Sequence, residues 1–91
     1  MAPVLVVLHA GDLPDGLDSV AEVADVRYAT ADTLGDALDG ADALLLWDFF
    51  SPAVESAWPR CGSLKWIHIA AAGVDSLMFD DLVDSDVIVT N

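Results

Sequence analysis

The sequence predicts an α/β domain built on one parallel sheet of about five strands. Three observations carry that reading. Short runs such as Val4-Leu5-Val6-Val7-Leu8 and Ala43-Leu44-Leu45-Leu46-Trp47 are apolar at every position, as strands covered on both faces must be. Between the runs stand segments whose apolar residues fall three and four apart, the spacing of helices. The two kinds alternate along the whole chain without internal repeats, low-complexity tracts or linkers, and such alternation belongs to parallel sheets with crossover helices.

Taken in order, Val4 to Leu8 form the first, central strand, and Gly11 to Asp15 a turn. Leu17, Val20, Ala21 and Ala24 then line one side of a first helix. Asp25-Val26-Arg27-Tyr28-Ala29 alternates, which suits an edge strand. A second helix is expected from about Ala31 to Leu38, with Leu34, Ala37 and Leu38 inward and Gly40 closing it. Ala43 to Trp47 make the third strand. Ser51-Pro52 supplies a cap and a first-turn proline, so Pro52 to Trp58 reads as helix, stopped by Pro59. Leu64 to Ile69 form the fourth strand and Val87-Ile88-Val89 the last. The natural arrangement is a flavodoxin-like, doubly wound five-stranded sheet in the order 2-1-3-4-5.

That arrangement carries a consequence. A doubly wound sheet sends a helix back, after its last strand, over the face that holds the first helix. Asn91 follows the last strand directly, so the sheet is expected to lack its last covering helix, leaving that face bare over the central strands. We therefore expect residues 1–91 to be a fragment of a longer chain, or a domain that needs a partner.

Composition narrows the function. The chain has 91 residues, 55% of them hydrophobic, which is ample core material for one small domain. Sixteen acids, fourteen of them Asp, stand against only Arg27, Arg60 and Lys65, for a net charge of −13. Such a surface repels phosphate backbones and anionic headgroups, so neither nucleic acid nor membrane is expected as a partner. The acids are scattered rather than run together, which reads as a solvated surface. Cys61 is alone, so no internal disulfide forms, and a cytoplasmic location is the default. It follows Pro59-Arg60 in a loop with nothing nearby to activate its thiol. The Met-Ala-Pro-Val start has no basic segment before its strand-length apolar run, unlike a signal peptide, and nothing approaches the ~20 apolar residues of a membrane span.

The most informative stretch is Leu64-Lys65-Trp66-Ile67-His68-Ile69 followed by Ala70-Ala71-Ala72-Gly73-Val74-Asp75-Ser76-Leu77. It reads as a buried strand, a turn of very small residues and a helix start, with Asp75 and Ser76 as caps for a helix carrying Leu77, Met78 and Leu82. A bare turn between strand and helix exposes backbone N–H groups at the positive end of a helix dipole, where a carboxylate can sit. On the residues alone, a plain strand-to-helix connection with small residues for tight packing is the favoured reading.

Leu64-Lys65-Trp66-Ile67 with Ala72-Gly73-Val74-Asp75 resembles the N-terminal, substrate-binding domain of the D-isomer-specific 2-hydroxyacid dehydrogenases, most closely their glyoxylate/hydroxypyruvate reductase-like branch. The resemblance implies an NAD(P)-dependent oxidoreductase acting on small 2-keto and 2-hydroxy acids. It implies that backbone amides of Ala72, Gly73 and Val74 hold the substrate carboxylate, with Trp47 as an aromatic wall. Neither catalytic residues nor a metal site are expected within these residues. The family's histidine, arginine and glycine-rich dinucleotide fingerprint have no counterpart here, so NAD or NADP would bind to an absent NAD-binding domain and this segment alone would be inactive. A homodimer is left open.

Other residues weigh less. Ligands of open parallel sheets sit beyond the carboxyl ends of the strands. That rim comprises His9-Ala10-Gly11, Trp47 to Phe50, Ala70 to Val74 and Thr90-Asn91, and the three cationic residues miss it. His9 is well placed but lacks an orienting acid. His68 reads as a hydrogen-bonded core histidine, and Trp66 and Phe79 as core. Two alternatives remain: a receiver-like signalling domain with Asp48 as phosphoacceptor, and an interaction domain that uses its bare sheet face.

Overall fold

The computed structural model describes residues 2–47, 53–70 and 79–91. Strands β1 (Val4–Leu8), β2 (Asp25–Ala29), β3 (Ala43–Leu46), β4 (Trp66–Ile69) and β5 (Ile88–Thr90) form one sheet. Every pairing is parallel and the order is β2-β1-β3-β4-β5, the flavodoxin-like arrangement the sequence predicts. Helices α1 (Leu17–Ala21), α2 (Leu34–Leu38), α3 (Ala53–Ala57) and α4 (Asp80–Val83) connect the strands, and a 3-10 turn, Trp58–Arg60, follows α3.

The register sorts the side chains. Val6 lies beside Arg27 and Leu44, Leu44 beside Ile67, and Ile67 beside Val89. Paired residues of a parallel sheet share a face, and neighbours along a strand take opposite faces. One face therefore carries Val6, Leu8, Leu44, Leu46, Ile67 and Ile69. These join Leu34 and Leu38 of α2, Ala53, Val54 and Ala57 of α3, and Leu82 of α4 in a single buried cluster. The other face carries Leu5, Val7, Tyr28, Leu45, Trp66, His68, Ile88 and Thr90. Of the described helices, only α1 belongs to this side, where it packs against β2 and buries none of its own residues fully.

Trp66 is therefore not core. It is 46% exposed, and Ile88 beside it is 62% exposed. Among the described residues the exposure on this face lies at Trp66 of β4 and Ile88 of β5, whereas over the central strands Leu45 of β3 is half-buried and Val7 of β1 fully buried. Phe79 is half-buried against the core, its ring edge-on to Trp58 at 5.3 Å.

The helices are shorter than the periodicity predicts, because apolar spacing marks a face and not an end. The first stops at Ala21, and the Val23 and Ala24 N–H groups both bond back to the Val20 carbonyl. The second starts at Leu34 instead of Ala31, since the Thr33 hydroxyl accepts the Thr30 N–H and holds residues 30–33 as a turn. The third gives way to the 3-10 turn, with Pro59 inside it. The expected helix running from Asp75–Ser76 through Leu82 is corrected at Phe79. Its backbone is extended (φ −98°, ψ 161°), so α4 begins only at Asp80, with Phe79 in the capping position. Strands shift by less: β3 ends at Leu46 and β5 runs from Ile88 to Thr90.

Two contacts close α2 onto the sheet. The Arg27 guanidinium donates to the carbonyls of Ala37 (3.1 Å) and Asp39 (2.9 Å), satisfying acceptors that a helix end leaves open. Gly40 then reverses the chain: Asp39 at φ −62°, ψ 114° and Gly40 at φ +76°, with the Ala41 N–H on the Leu38 carbonyl at 3.0 Å, make a type II turn. No atom would meet a side chain at Gly40, so replacement strains only the backbone.

Gly40→Ala should lower stability in urea unfolding by about 1 kcal/mol, the cost of forcing an L-residue into left-handed geometry. Gly62→Ala, also in open space but at an ordinary φ, should cost nothing; equal losses at both sites would refute the turn assignment. Arg27→Met keeps the aliphatic packing but removes both hydrogen bonds, and should cost about 1–3 kcal/mol by the same measurement.

Candidate functional site

The carboxyl-end rim is assembled by the last rungs of the ladder. The His9 N–H donates to the Ala29 carbonyl (2.9 Å), the Trp47 N–H to Leu8 (3.0 Å) and the Ala70 N–H to Leu46 (3.1 Å). Each strand thus stays in the sheet one residue past its assigned end. His9, Trp47 and Ala70 mark the positions where the chain leaves it. The amides of these three residues are already committed and offer nothing to a ligand. Any backbone anion cradle after β4 has to begin at position 71 or later.

Of the four residues expected to bind substrate, Trp47 is described and stands at this rim, 37% exposed. Ala72, Gly73 and Val74 lie outside the described residues, as do Asp48 and Asp75. The cationic side chains are engaged elsewhere. Arg27 caps α2, and Arg60 reaches Asp36 at 3.4 Å and Asp39 at 4.0 Å. Lys65 lines an open cleft of about 580 Å³ with Trp58, Leu64, Ser85 and Asp86, at the amino ends of β4 and β5. An anion at the described part of the rim meets no cationic side chain.

His9 has an orienting partner that the sequence did not reveal. Its Nδ1 accepts the Gly11 N–H at 3.1 Å, so the proton of the neutral ring resides on Nε2. The ring also stands edge-on to Tyr28, with centroids 6.4 Å apart. A backbone donor does this in place of an acid, which is why a search for a nearby carboxylate in the sequence misses it. A second cleft, of about 450 Å³, lies beside Tyr28 and contains Asp15 and Asp18, so it is unsuited to an anionic ligand.

His68 is hydrogen-bonded, as expected, but half-buried on the thinly covered face and not in the core. Its Nδ1 lies 2.8 Å from the Thr90 hydroxyl, which also accepts the Trp66 indole N–H at 2.8 Å. The Trp66 and His68 rings meet edge to face at 6.1 Å. This triad joins β4 to β5. Its sequence signal is the two-residue spacing of Trp66 and His68, which puts both on one face.

Cys61 is buried against the core, and its thiol donates weakly to the Ala57 carbonyl at 3.6 Å. Burial pushes the thiol up to about 11 from 9.0, so it stays protonated near neutrality and is no nucleophile. Among the described residues no group of three or more His, Cys, Asp or Glu could hold a metal ion. Nor is any helix among them long and apolar enough to cross a membrane.

The thiol carries a pH dependence whose sign is fixed. The folded state holds this proton more tightly than the unfolded chain, so its contribution is intact below pH 9 and is lost as pH rises towards 11. Relative to Cys61→Ala, the parent chain should lose about 2–3 kcal/mol across that window in urea unfolding, at 1.36 kcal/mol per pH unit. Parallel pH profiles for the two chains would refute the desolvated thiol.

In comparisons with known proteins, no family model, no curated protein and no solved structure matches the chain.

Proposed function

We propose that this chain is the substrate-side part of an NAD(P)-dependent oxidoreductase acting on small 2-hydroxy and 2-keto acids. In this reading the backbone amides of Ala72, Gly73 and Val74 hold the substrate carboxylate, and Trp47 walls the site. The observation that supports it is the exit of β4. Ala70 makes the last ladder bond of that strand, at the ligand-binding edge of a 2-1-3-4-5 sheet, and Ala71-Ala72-Gly73-Val74 follows in the sequence without an intervening bulky residue. The resemblance of the surrounding residues to the D-isomer-specific 2-hydroxyacid dehydrogenases supplies the substrate class.

The chemistry divides accordingly. Two charge-assisted hydrogen bonds to a carboxylate contribute about 3–6 kcal/mol before ordering costs, and the acidic surface subtracts further. The 91 residues alone should therefore hold a keto-acid no more tightly than about millimolar and transform nothing. The nicotinamide cofactor, the histidine and the arginine that complete the reaction belong to a second, NAD-binding lobe that closes over the rim. A cytoplasmic setting accompanies this reading, through the reduced thiol and the cofactor.

An interaction domain is the second reading, favoured by the open sheet face around Trp66 and Ile88. The two are separable. Titration with glyoxylate or oxalate should shift the amide resonances of residues 70–74 and the indole signal of Trp47, with half-saturation at about millimolar ligand or above. Gly73→Leu should remove the response. Absence of any shift at those positions would defeat the carboxylate-cradle reading. In an enzyme that contains both lobes, the same substitution should raise KM strongly, and an unchanged KM would count against it.

A further inference from the structure

Open parallel sheets offer ligands a crevice where two adjacent strands send their chains to opposite sides of the sheet. Here those strands are β1 and β3. The chain leads from β1 to α1 on one side, and from β3 to α3 on the other. The residues that leave the sheet at this point are His9 and Trp47. Leu8, Leu46 and Ile69 are partners across β1, β3 and β4, and the amides of Trp47 and Ala70 still bond to the Leu8 and Leu46 carbonyls. The next row is therefore His9, Trp47 and Ala70. Partnered positions share a face, so all three lie on the side of Val7, Leu45 and His68, two residues further on. Trp47 stands between His9 and the exit of β4, and Ala70 adds only a methyl group.

The His9 ring is fixed in a way that decides its chemistry. The Gly11 N–H donates to Nδ1 at 3.1 Å, and Tyr28 bounds the ring edge-on. A ring nitrogen that accepts a bond carries no proton in neutral imidazole, so Nε2 is a donor. Among the described residues no acceptor meets it, and the ring is only half-buried. While the Gly11 bond lasts, Nε2 cannot take a proton from a ligand. His9 is thus a fixed donor and not a base.

From this arrangement we infer that His9 is a substrate-contact residue, its Nε2–H donating to the 2-oxygen of the 2-keto or 2-hydroxy acid. The inference rests on the keto-acid reading for the ligand, and it adds a second point of attachment on this lobe. The spans agree. The exits of β1 and β4 are two strand spacings apart, about 10 Å. Two hydrogen bonds of ~2.9 Å, joined by an acid whose carboxylate and 2-oxygen are ~3 Å apart, cover about the same distance. Trp47, midway, meets the carbon skeleton. An acid held by its carboxylate alone turns about that one attachment, whereas a donor fixed beforehand orients it and selects acids that carry an oxygen at C2.

Glycolate and acetate differ only in the 2-hydroxyl and make the test. In a chain with labelled imidazole and amide nitrogens, at constant pH, the unliganded spectrum should show His9 as the Nε2–H tautomer. Glycolate should move the His9 ring signals together with the amides of residues 70–74, at one half-saturation, and leave those of His68 in place. Acetate should move the amides but not the His9 ring. Glycolate should bind about threefold or more tightly than acetate, and in His9→Phe, which keeps a ring against Tyr28 but has no donor, the two should bind alike. Being a ratio within one variant, that comparison is not altered by a loss of folded protein. A response at residues 70–74 with a silent His9 ring would overturn the inference and leave the keto-acid reading standing. So would a preference for glycolate that survives His9→Phe, or equal movement of both histidine rings. No response at residues 70–74 to either acid would defeat that reading, and the inference with it.

Discussion

A side chain on a β-strand goes to one face of the sheet or the other, and in this sheet the two faces meet different surroundings. Beneath one lie, among the described residues, α2, α3, the 3-10 turn and α4, which with the inward strand residues form the main buried cluster. Above the other lies only α1 among the described helices, resting on the β2 edge. The difference follows from connectivity. Right-handed crossovers that move from β2 through β1 to β3, β4 and β5 all deposit their helices on the same side, and only the β1-to-β2 crossover, travelling the other way, uses the opposite side. Burial, exposure and the environment of Trp66 and His68 all descend from that division.

The same division organises the charge. No acid or base is buried among the described residues, so the acids cost little desolvation and act through their collective field. The scarce cations are consumed locally. Arg27 satisfies two carbonyls at the end of α2 and, at 3.8 Å, also approaches Asp25, while Arg60 bridges Asp36 and Asp39. Both hold the same helix, which forms much of the covered core. Having spent its positive charges there, the molecule retains almost none with which to attract an anion. A carboxylate ligand at the described rim would have to be gripped by peptide dipoles or by another lobe.

The rim adds a different constraint. In a parallel ladder the residue after each strand still donates to its neighbour, as His9, Trp47 and Ala70 do here. That shifts any usable amide outward by one position, into the small-residue sequence after Ala70. Bulky side chains at those positions would crowd an anion approaching the backbone, and the run Ala71-Ala72-Gly73 contains none.

The sequence by itself determined the strands, their parallel order, and the absence of cationic residues from the rim. Each depends on composition and alternation, which are local properties. It also located Leu34 and Leu38 in the core, because helical spacing declares a shared side. Which of two alternating sets becomes core was not local. The spacing shows that Trp66 and His68 oppose Ile67 and Ile69, but only the side taken by the crossover helices decided that the isoleucines are covered and the tryptophan is not. Helix ends were likewise decided in three dimensions, by Thr33 folding back on Thr30 and by the extended backbone of Phe79, since an amphipathic stripe has no terminus written into it. The partners of Arg27, His9 and Trp66 came from tertiary structure for the same reason: each is a side chain meeting an atom that the chain brings near only after folding.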